Sequence, residues 1–233
     1  MLELNKIYFE DCLVGMQKID DKSIDCIICD LPFGVTACGW DLILPFDILW
    51  SQYNRIIKDK SAIVLFATQP FTTKLVSSNI DNFKYSWIWN KKSVSNPQLA
   101  KKQPLKCHED IIVFSNGSCC YFPQDLQPYS RKRKKDSSSL GHCVRKDYEQ
   151  TVTNYPKSII EFSVERGLHP TQKPILLIEY LIKTYTNEED LVLDSCIGSG
   201  TTALAARNLN RNFIGFENNE EYFKTAQKRL NLV

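Results

Sequence analysis

The sequence has little excess charge of either sign and no long apolar run. Its formal net charge is +2, which neither demands nor excludes a polyanionic partner. No stretch approaches the roughly 18 apolar residues needed to span a bilayer. No basic N-terminal segment precedes an apolar core, as it would in a secretion signal. We therefore expect a soluble, intracellular protein.

The nine cysteines form neither a metal-binding nor a disulfide pattern. Cys26 and Cys29 have the spacing of a metal or redox pair, but a second Cys or His pair at a suitable distance is missing. In a strand, moreover, residues three apart point to opposite faces. We predict reduced thiols that pack as small apolar side chains, and no metal site.

Short β-branched runs alternate with segments of helical period along most of the chain. This pattern predicts an α/β fold in which helices cover a parallel sheet. The predicted strands are residues 6–9, 24–29, 62–67, 84–89, 110–115, 191–194 and 212–217. The predicted helices are residues 12–17, 46–57, 69–78, 175–185, 201–208 and 219–230.

Residues 116–165 break this alternation. They contain the basic run Arg131 to Lys135, three consecutive serines and several tyrosines and prolines. A stretch of this length without regular structure is uncommon unless it is functional or disordered. We interpret it as an insertion into one domain that spans residues 1–233, not as a second independent domain.

The segment Asp30-Leu-Pro-Phe33 directly follows an apolar strand and has the composition of a receptor for an amine. Proline fixes its own φ and restricts the residue before it, so the turn presents a rigid carbonyl beside the carboxylate of Asp30. Phe33 adds an aromatic face. Such a turn is suited to the exocyclic amine of a nucleobase.

A glycine-rich turn follows the predicted strand that ends at Asp194. Gly198 and Gly200 allow a ligand to approach the backbone, and about 20 residues further on Glu217 occupies the position that binds ribose hydroxyls. The glycine spacing alone also fits a dinucleotide site, but Asp194 would repel a pyrophosphate. It would attract an ammonium, and S-adenosylmethionine carries a ribose, an adenine and an ammonium without phosphate.

These segments together resemble the beta-class amino DNA methyltransferases, which act on adenine N6 or cytosine N4 in phages and restriction-modification systems. Glu10-Asp11-Cys12, residues 65–71, His108 to Phe114 and His169-Pro-Thr-Gln-Lys173 match further segments of that family. The resemblance implies a Rossmann-like methyltransferase fold with a mostly parallel seven-stranded sheet and helices on both faces. It also implies a permuted order, in which the catalytic motif precedes the cofactor motif, and a location in the cytoplasm of a bacterial or phage-infected cell.

The resemblance also implies roles for individual residues. His169 and Lys173 are expected near the carboxylate of the cofactor, and Asp11 near its adenine. The residues expected to bind S-adenosylmethionine are Asp11, Cys12, Asp30, His169, Thr171, Lys173, Asp194, Gly198, Ser199, Gly200, Thr201, Glu217 and Asn218. The chain departs from the family motif at Leu31, where a proline is usual, and at Phe33, where a tyrosine is usual.

The implied reaction is direct methyl transfer to a base flipped out of the duplex. Phe33 would stack on the base, while the Asp30 carboxylate and the Leu31 carbonyl accept hydrogen bonds from the amine beside Pro32. The acid at position 30 favours adenine, with N4-cytosine transfer as the alternative. An RNA or protein-amide methyltransferase, or a protein that binds the cofactor without catalysis, are further alternatives.

Double-stranded DNA is the expected partner, and pairing into a homodimer is expected from the behaviour of relatives. Residues 116–165 would select the sequence, because they lie outside the segments that match the family. Basic side chains there would bind phosphates. The residues expected to contact DNA are Arg131, Lys132, Arg133, Lys134, Lys135, Tyr155 and Lys157.

Overall fold

The computed structural model describes residues 2–34, 42–133, 148–165, 167 and 172–231. Its strands are β1 (Lys6–Phe9), β2 (Ile24–Cys29), β3 (Ile57–Ala67), β4 (Phe83–Asn90), β5 (His108–Phe114), β6 (Gln127–Arg133), β7 (Tyr148–Thr153), β8 (Ile159–Glu161), β9 (Leu191–Asp194) and β10 (Asn212–Glu217). Its helices are α1 (Cys12–Gly15), α2 (Phe46–Ile56), α3 (Phe71–Ser77), α4 (Ile175–Tyr185), α5 (Thr201–Asn208) and α6 (Glu220–Arg229). Within these ranges, every helix is too short or too polar to cross a membrane.

One large sheet has the strand order β1-β10-β9-β2-β3-β5-β4-β8. Neighbouring strands are parallel except where β5 pairs with β3 and β4. The predicted α/β architecture with a mostly parallel sheet is therefore confirmed. The sheet has eight strands in the described residues instead of the predicted seven. The additional strand is β8, whose three residues include one buried side chain, too few to produce a recognisable period.

The two faces of the sheet are covered by different helices. Cys26 and Ile28 of β2 pack into the same apolar cluster as Leu177 of α4 and Ala203 of α5. The alternate residues of β2, such as Ile27, pack into a second cluster. This second cluster contains the buried side chains of α2 and α3. Because successive side chains of a strand point to opposite faces, the apolar run of β2 contributes side chains to the clusters on both faces of the sheet.

Residues Pro123–Lys157 form a separate compact unit. Within it, β6 and β7 pair in antiparallel orientation, with Gln127 opposite Thr153 and Lys132 opposite Glu149. This unit is shorter than the predicted insertion of residues 116–165, because the flanking residues pair with the main unit. The Cys120 amide, for example, donates to the Lys60 carbonyl at 2.8 Å.

Candidate active site

Four carboxylates follow the carboxyl ends of four neighbouring parallel strands. The strands are β1, β10, β9 and β2, and they are followed or ended by Asp11, Glu217, Asp194 and Asp30. Because parallel strands end at the same edge of a sheet, these side chains meet along one cleft of about 340 Å³. The predicted residues that line it are Asp11, Cys12, Asp30, Leu31, Pro32, Phe33, Lys173, Asp194, Gly198, Ser199, Thr201, Glu217 and Asn218.

The glycine-rich turn connects β9 to α5 in a conformation that needs glycine. Gly198 and Gly200 have φ angles of 52° and 79°, which side-chain-bearing residues rarely adopt. A Cβ at Gly200 would also lie 3.1 Å from the Cβ of Ala226. The turn therefore keeps its backbone close both to α6 and to the cleft.

Glu217 holds the glycine-rich turn and the end of β10 together. Its Oε2 accepts a hydrogen bond from the Gly198 amide at 2.8 Å, and its Oε1 accepts one from the Asn219 amide at 2.8 Å. Burial raises the pKa of this carboxyl, while the backbone amides oppose that effect. Each carboxylate oxygen retains a second lone pair, so Glu217 can also accept hydrogen bonds from a ligand's hydroxyl groups.

Asp194 is a carboxylate with almost no access to water, since its relative exposure is 4%. Its Oδ1 accepts a hydrogen bond from the Cys196 amide at 3.1 Å. Burial raises the pKa of Asp194 to about 6, against the opposing hydrogen bonds from Thr202 and Cys196. A bound cation would return the carboxylate to its charged form, so the site favours an ammonium or sulfonium ligand.

A hydrogen-bonded network fixes β2 against β9 below the cleft. The Ser195 hydroxyl lies 2.6 Å from the Tyr53 hydroxyl and 3.2 Å from the Cys29 thiol. Cys29 immediately precedes Asp30, and Ser195 immediately follows Asp194. These contacts hold the two carboxylates at a fixed separation.

Asp11 is positioned by the helix that it begins. Its Oδ1 accepts a hydrogen bond from the Leu13 amide at 2.9 Å, as an N-cap residue does. Cys12, the first residue of α1, is buried beside it and also lines the cleft. The sequence predicted both residues as ligands of the cofactor, and the structure places both at the cleft wall.

The turn after β2 brings Asp30 and Phe33 to the wall of the cleft. The Oδ1 atom of Asp30 is buried and has no hydrogen-bond partner within the described parts of the chain. Leu31 is buried, and the ring of Phe33 packs against that of Phe71 with centroids 5.1 Å apart. The structure thus places Phe33 on a rigid aromatic support.

Lys173 lies beside Asp30. Its ammonium is 2.5 Å from Asp30 Oδ2 and 3.4 Å from Glu109 Oε2, and its side chain is 8% exposed. Glu109 Oε1 in turn accepts a hydrogen bond from Lys91. The sequence predicted Lys173 near the carboxylate of a ligand, whereas in the structure its ammonium bridges two protein carboxylates.

Glu109 and Lys91 were not predicted from the sequence. The family resemblance implied no site residue within residues 108–114, but β5 runs antiparallel to its neighbours and therefore starts at the edge where they end. Polar residues at the start of an antiparallel strand are the signal that would have identified Glu109. Burial raises the pKa of Asp30 and is opposed by Lys173, while Glu109 adds to the rise.

The remaining predicted residues do not line this cleft or are not described. His169, Thr171, Lys134 and Lys135 lie outside the described residues. Gly200 lies behind the cleft, against α6. Arg131, Lys132 and Arg133 belong to β6, and Tyr155 and Lys157 follow β7 in the same compact unit.

The described residues contain no group of three or more His, Cys, Asp or Glu side chains arranged to hold a metal ion. Seven of the cysteines are described, and all are free thiols. Cys26 and Cys29 belong to different apolar clusters on the two faces of the sheet.

The family of DNA methylases matches residues 24–228 of this chain. The Type II methyltransferase M1.MboII of Moraxella bovis is 30% identical over 99% of this chain and 98% of its own length. M2.DpnII of Streptococcus pneumoniae, also a Type II methyltransferase, is 38% identical over 94% of this chain and 87% of its own. The DNA adenine methyltransferase YhdJ of Escherichia coli K12 is 27% identical over 99% of this chain and 84% of its own.

Two solved structures extend this similarity to the fold. The complex of M1.HpyAVI with S-adenosylmethionine has a TM-score of 0.64 and 25% identity, and covers 96% of this chain and 98% of the other. The cytosine-N4-specific PvuII DNA methyltransferase has a TM-score of 0.69 and 18% identity, and covers 96% of this chain and 85% of the other.

Proposed function

We propose that this chain, which belongs to the family of N6 and N4 DNA methylases, methylates the N6 amine of adenine in double-stranded DNA. The methyl donor of this methyltransferase is S-adenosylmethionine, which supplies a methyl group activated by a sulfonium centre. We propose adenine, and not cytosine, as the methylated base. We also propose the role of each residue in the cleft.

One observation supports the reaction more than any other: the buried, unpartnered Oδ1 atom of Asp30 in the cleft. A buried carboxylate oxygen without a partner costs free energy, so the site gains when an N–H donor reaches it. The exocyclic amine of a flipped base has such a donor. Hydrogen bonds to Asp30 and to the Leu31 carbonyl would draw the nitrogen lone pair away from the ring and toward the methyl group.

The position of Phe33 supports a planar substrate. Its ring packs on Phe71, which is itself buried, so Phe33 is held in place before a base arrives. Stacking needs a flat apolar face and does not need a phenol hydroxyl. The departure from the usual tyrosine therefore leaves base binding intact in this proposal.

The other end of the cleft fits the cofactor. Glu217 and Asp194 are acceptors with partly or wholly buried carboxylates, and both line the cleft with Gly198 and Ser199. We assign Glu217 to the ribose hydroxyls, Asp194 to the cationic methionine end and Asp11 to the adenine side. Lys173 is assigned to Asp30 and not to the cofactor carboxylate, because its ammonium already contacts two carboxylates.

The compact unit of residues 123–157 is proposed to select the DNA sequence. The side chains of Arg131, Lys132, Tyr155 and Lys157 are exposed in it. Exposed basic residues bind phosphates and fix the protein's register on the duplex, and the aromatic residue adds a stacking surface. Pairing into a homodimer stays a prediction from the family resemblance.

The proposal is tested by base analysis of DNA from cells that express the protein, next to cells that express Asp30→Ala. We expect N6-methyladenine in one sequence context with the wild type and none with the variant. Detection of N4-methylcytosine instead would overturn the adenine assignment while leaving the family unchanged. Methylation by Asp30→Ala at the wild-type rate would overturn the catalytic assignment.

A further inference from the structure

We propose that Glu109 and Lys91 are positioning residues for the catalytic carboxylate, and that they act through Lys173. This inference rests on the proposed role of Asp30 in methyl transfer. It concerns a chain of four charged side chains, Lys91, Glu109, Lys173 and Asp30, which we call the charge chain. Two of the four were given no role by the sequence: Glu109 lies in the matching segment His108 to Phe114, and Lys91 lies outside the matching segments.

The charge chain is continuous and mostly withdrawn from solvent, with side-chain exposures that range from 8% at Lys173 to 23% at Asp30. The ammonium of Lys173 lies between Asp30 Oδ2 at 2.5 Å and Glu109 Oε2 at 3.4 Å. Glu109 and Lys91 are in contact, and each side chain is 13% exposed. Ion pairs at the surface contribute little, but removing one partner of a buried pair leaves an uncompensated charge.

The two carboxylate oxygens of Asp30 differ in their partners. Oδ2 receives the ammonium of Lys173, while Oδ1 is left without a hydrogen-bond partner in the described residues. An ammonium has three donors, so Lys173 could engage both oxygens if Asp30 were its only counter-charge. Glu109 opposes this by charge, because its Oε2 lies 3.4 Å from the same ammonium, although Oε2 itself has no hydrogen-bond partner in the described residues. Oδ1 therefore stays available for the substrate amine.

The members of the charge chain act on Asp30 in opposite electrostatic directions. Lys173 and Lys91 favour its charged form, whereas Glu109 and the neighbouring Asp194 disfavour it. Removing Glu109 should therefore lower the pKa of Asp30. Removing Lys91 should raise it. A residue too far from Asp30 to interact with it would change neither value.

The test compares Glu109→Gln and Lys91→Gln with the wild type and with Glu3→Gln. Glu3 forms an exposed pair with Lys6 beside β1 and serves as the matched control. Single-turnover methyl transfer at saturating cofactor and DNA is measured as a function of pH, together with cofactor affinity. We expect Glu109→Gln to reduce transfer at least about tenfold with cofactor affinity unchanged within about twofold.

The pH profile decides the mechanism. The acid limb should move to lower pH in Glu109→Gln and to higher pH in Lys91→Gln, each by at least about 0.5 pH unit. The proposal would be overturned if the acid limbs of both variants stayed at the wild-type pH, or if both moved in the same direction. A parallel loss of cofactor affinity and transfer would do the same, since it would assign the charge chain to the cofactor. If Glu109→Gln does not fold, the direction of the shift in Lys91→Gln decides alone.

A second readout separates this inference from the proposed function. The carboxyl carbon of Asp30 is titrated by NMR in the ligand-free protein, with Asp30→Asn used for assignment. Opposite pKa changes in Glu109→Gln and Lys91→Gln support the charge chain even if the methylated base proves to be cytosine. Identical titration of Asp30 in all variants overturns the charge chain whatever the substrate is.

A second, independent observation concerns a basic loop on the same edge of the sheet. Residues 91–107 connect β4 to β5, and we call them the β4–β5 loop. Because β4 is parallel to β2 and β3, this loop projects from the edge at which Asp30 lies. From Lys91 to His108 the sequence contains five lysines and no acidic residue.

The β4–β5 loop has an ordered backbone. The Lys106 amide donates to Asn96 Oδ1 at 2.6 Å, and the Ser95 amide donates to the Lys106 carbonyl at 3.0 Å. Lys101 and Lys102 are exposed at its tip, and neither has an ion-pair partner in the part of the chain that is described. A fixed loop with free ammonium groups suits a polyanion. The geometry points to the phosphate backbone of the DNA substrate next to the flipped base.

The test is the salt dependence of DNA affinity for the double variant Lys101→Gln, Lys102→Gln. Its control, Lys58→Gln, Lys60→Gln, removes the same charge at the opposite edge of the sheet. We expect the slope of log affinity against log salt to fall in magnitude by about 2 in the loop variant only, about 0.9 for each lost contact. An unchanged slope, or an equal change in the control, would overturn the assignment. Cofactor affinity, expected to be unchanged, verifies the fold, and DNA binding is measured whether or not adenine is the methylated base.

Discussion

Replacing Asp194 by Asn is predicted to stabilise the protein at neutral pH and to weaken cofactor binding. Burial raises the pKa of this carboxyl from 3.8 to about 6. The difference corresponds to a cost of about 3 kcal/mol for keeping the side chain charged in the fold, since one pKa unit is about 1.4 kcal/mol. In the proposed function this cost is offset on binding, because a charged Asp194 attracts the cationic end of the cofactor.

The sign of the effect follows from proton linkage. The folded state holds the proton of Asp194 more tightly than the unfolded state, so the wild type loses stability as pH rises from about 4 to about 6. Asn carries no charge at any of these pH values, and its Oδ1 can still accept the Cys196 amide. The free energies of unfolding should therefore be similar below about pH 4. Above about pH 6 the variant should be more stable by up to about 3 kcal/mol.

Urea denaturation followed by circular dichroism at several pH values from 3.5 to 8 measures this difference. Asp59→Asn, which alters an exposed residue paired with Lys22, is the control and should show no gain at neutral pH. Calorimetric titration with S-adenosylmethionine should show a large loss of affinity for Asp194→Asn. The reasoning is refuted if Asp194→Asn is less stable than the wild type at pH 7.5. It is also refuted if the stability difference is the same at pH 4 and pH 7.

Three further outcomes are expected. Asp30→Asn should lower the single-turnover rate at least about 100-fold with cofactor affinity nearly unchanged, and a rate within tenfold of wild type would contradict its assigned role. Gly200→Ala should lower thermal stability by about 1–3 kcal/mol, because φ is 79° and Ala226 is close. In Gly117→Ala, φ is 93° and nothing lies within 4 Å of the added Cβ, so this variant measures the effect of backbone strain alone. It should lower the stability by less than Gly200→Ala. Glu217→Gln should raise the dissociation constant of the cofactor at least about tenfold without changing the transfer rate at saturation, and an unchanged constant would exclude it from the ribose site.

The sequence predicted the strands of the site well because each one is an apolar run that stops at a carboxylate. Strands β1, β2, β9 and β10 have the predicted bounds. The run Leu191-Val-Leu-Asp194 is followed by small residues and glycines, which end a strand and allow a helix to begin. The same contrast between apolar run and polar end locates Asp30. The bounds of the strands therefore placed Asp30 and Asp194 at strand ends, which lie at the same edge of a parallel sheet.

Periodicity failed where a strand is built from polar residues. Strand β3 begins at Ile57, five residues before the predicted start, because Ile57 pairs with Ile24. The intervening residues Lys58 to Ser61 carry polar side chains, which give no apolar signal, yet backbone pairing does not require apolar side chains. Strand β8 was missed for a different reason, because its three residues are too few to show a period.

The charge chain could not be predicted because its members come from separate parts of the chain. Lys91 and Glu109 face each other only because β4 and β5 pair in a particular register, with Trp89 opposite Glu109. Lys173 reaches them from the segment before α4. Charged residues in a sequence are usually solvated, so nothing in the sequence distinguished Lys91 from a surface lysine.

The position of β9 and β10 between β1 and β2 has a consequence for protein synthesis. The first two strands are made early, yet the space between them is filled by strands near the other end, so that Lys6 pairs with Ile214. The turn that carries Asp30 leaves the ribosome long before strands β9 and β10. Such distant pairings form late in folding. A chain whose translation stops before residue 212 lacks β10 and Glu217, and with them one wall of the cleft at which Asp30 lies.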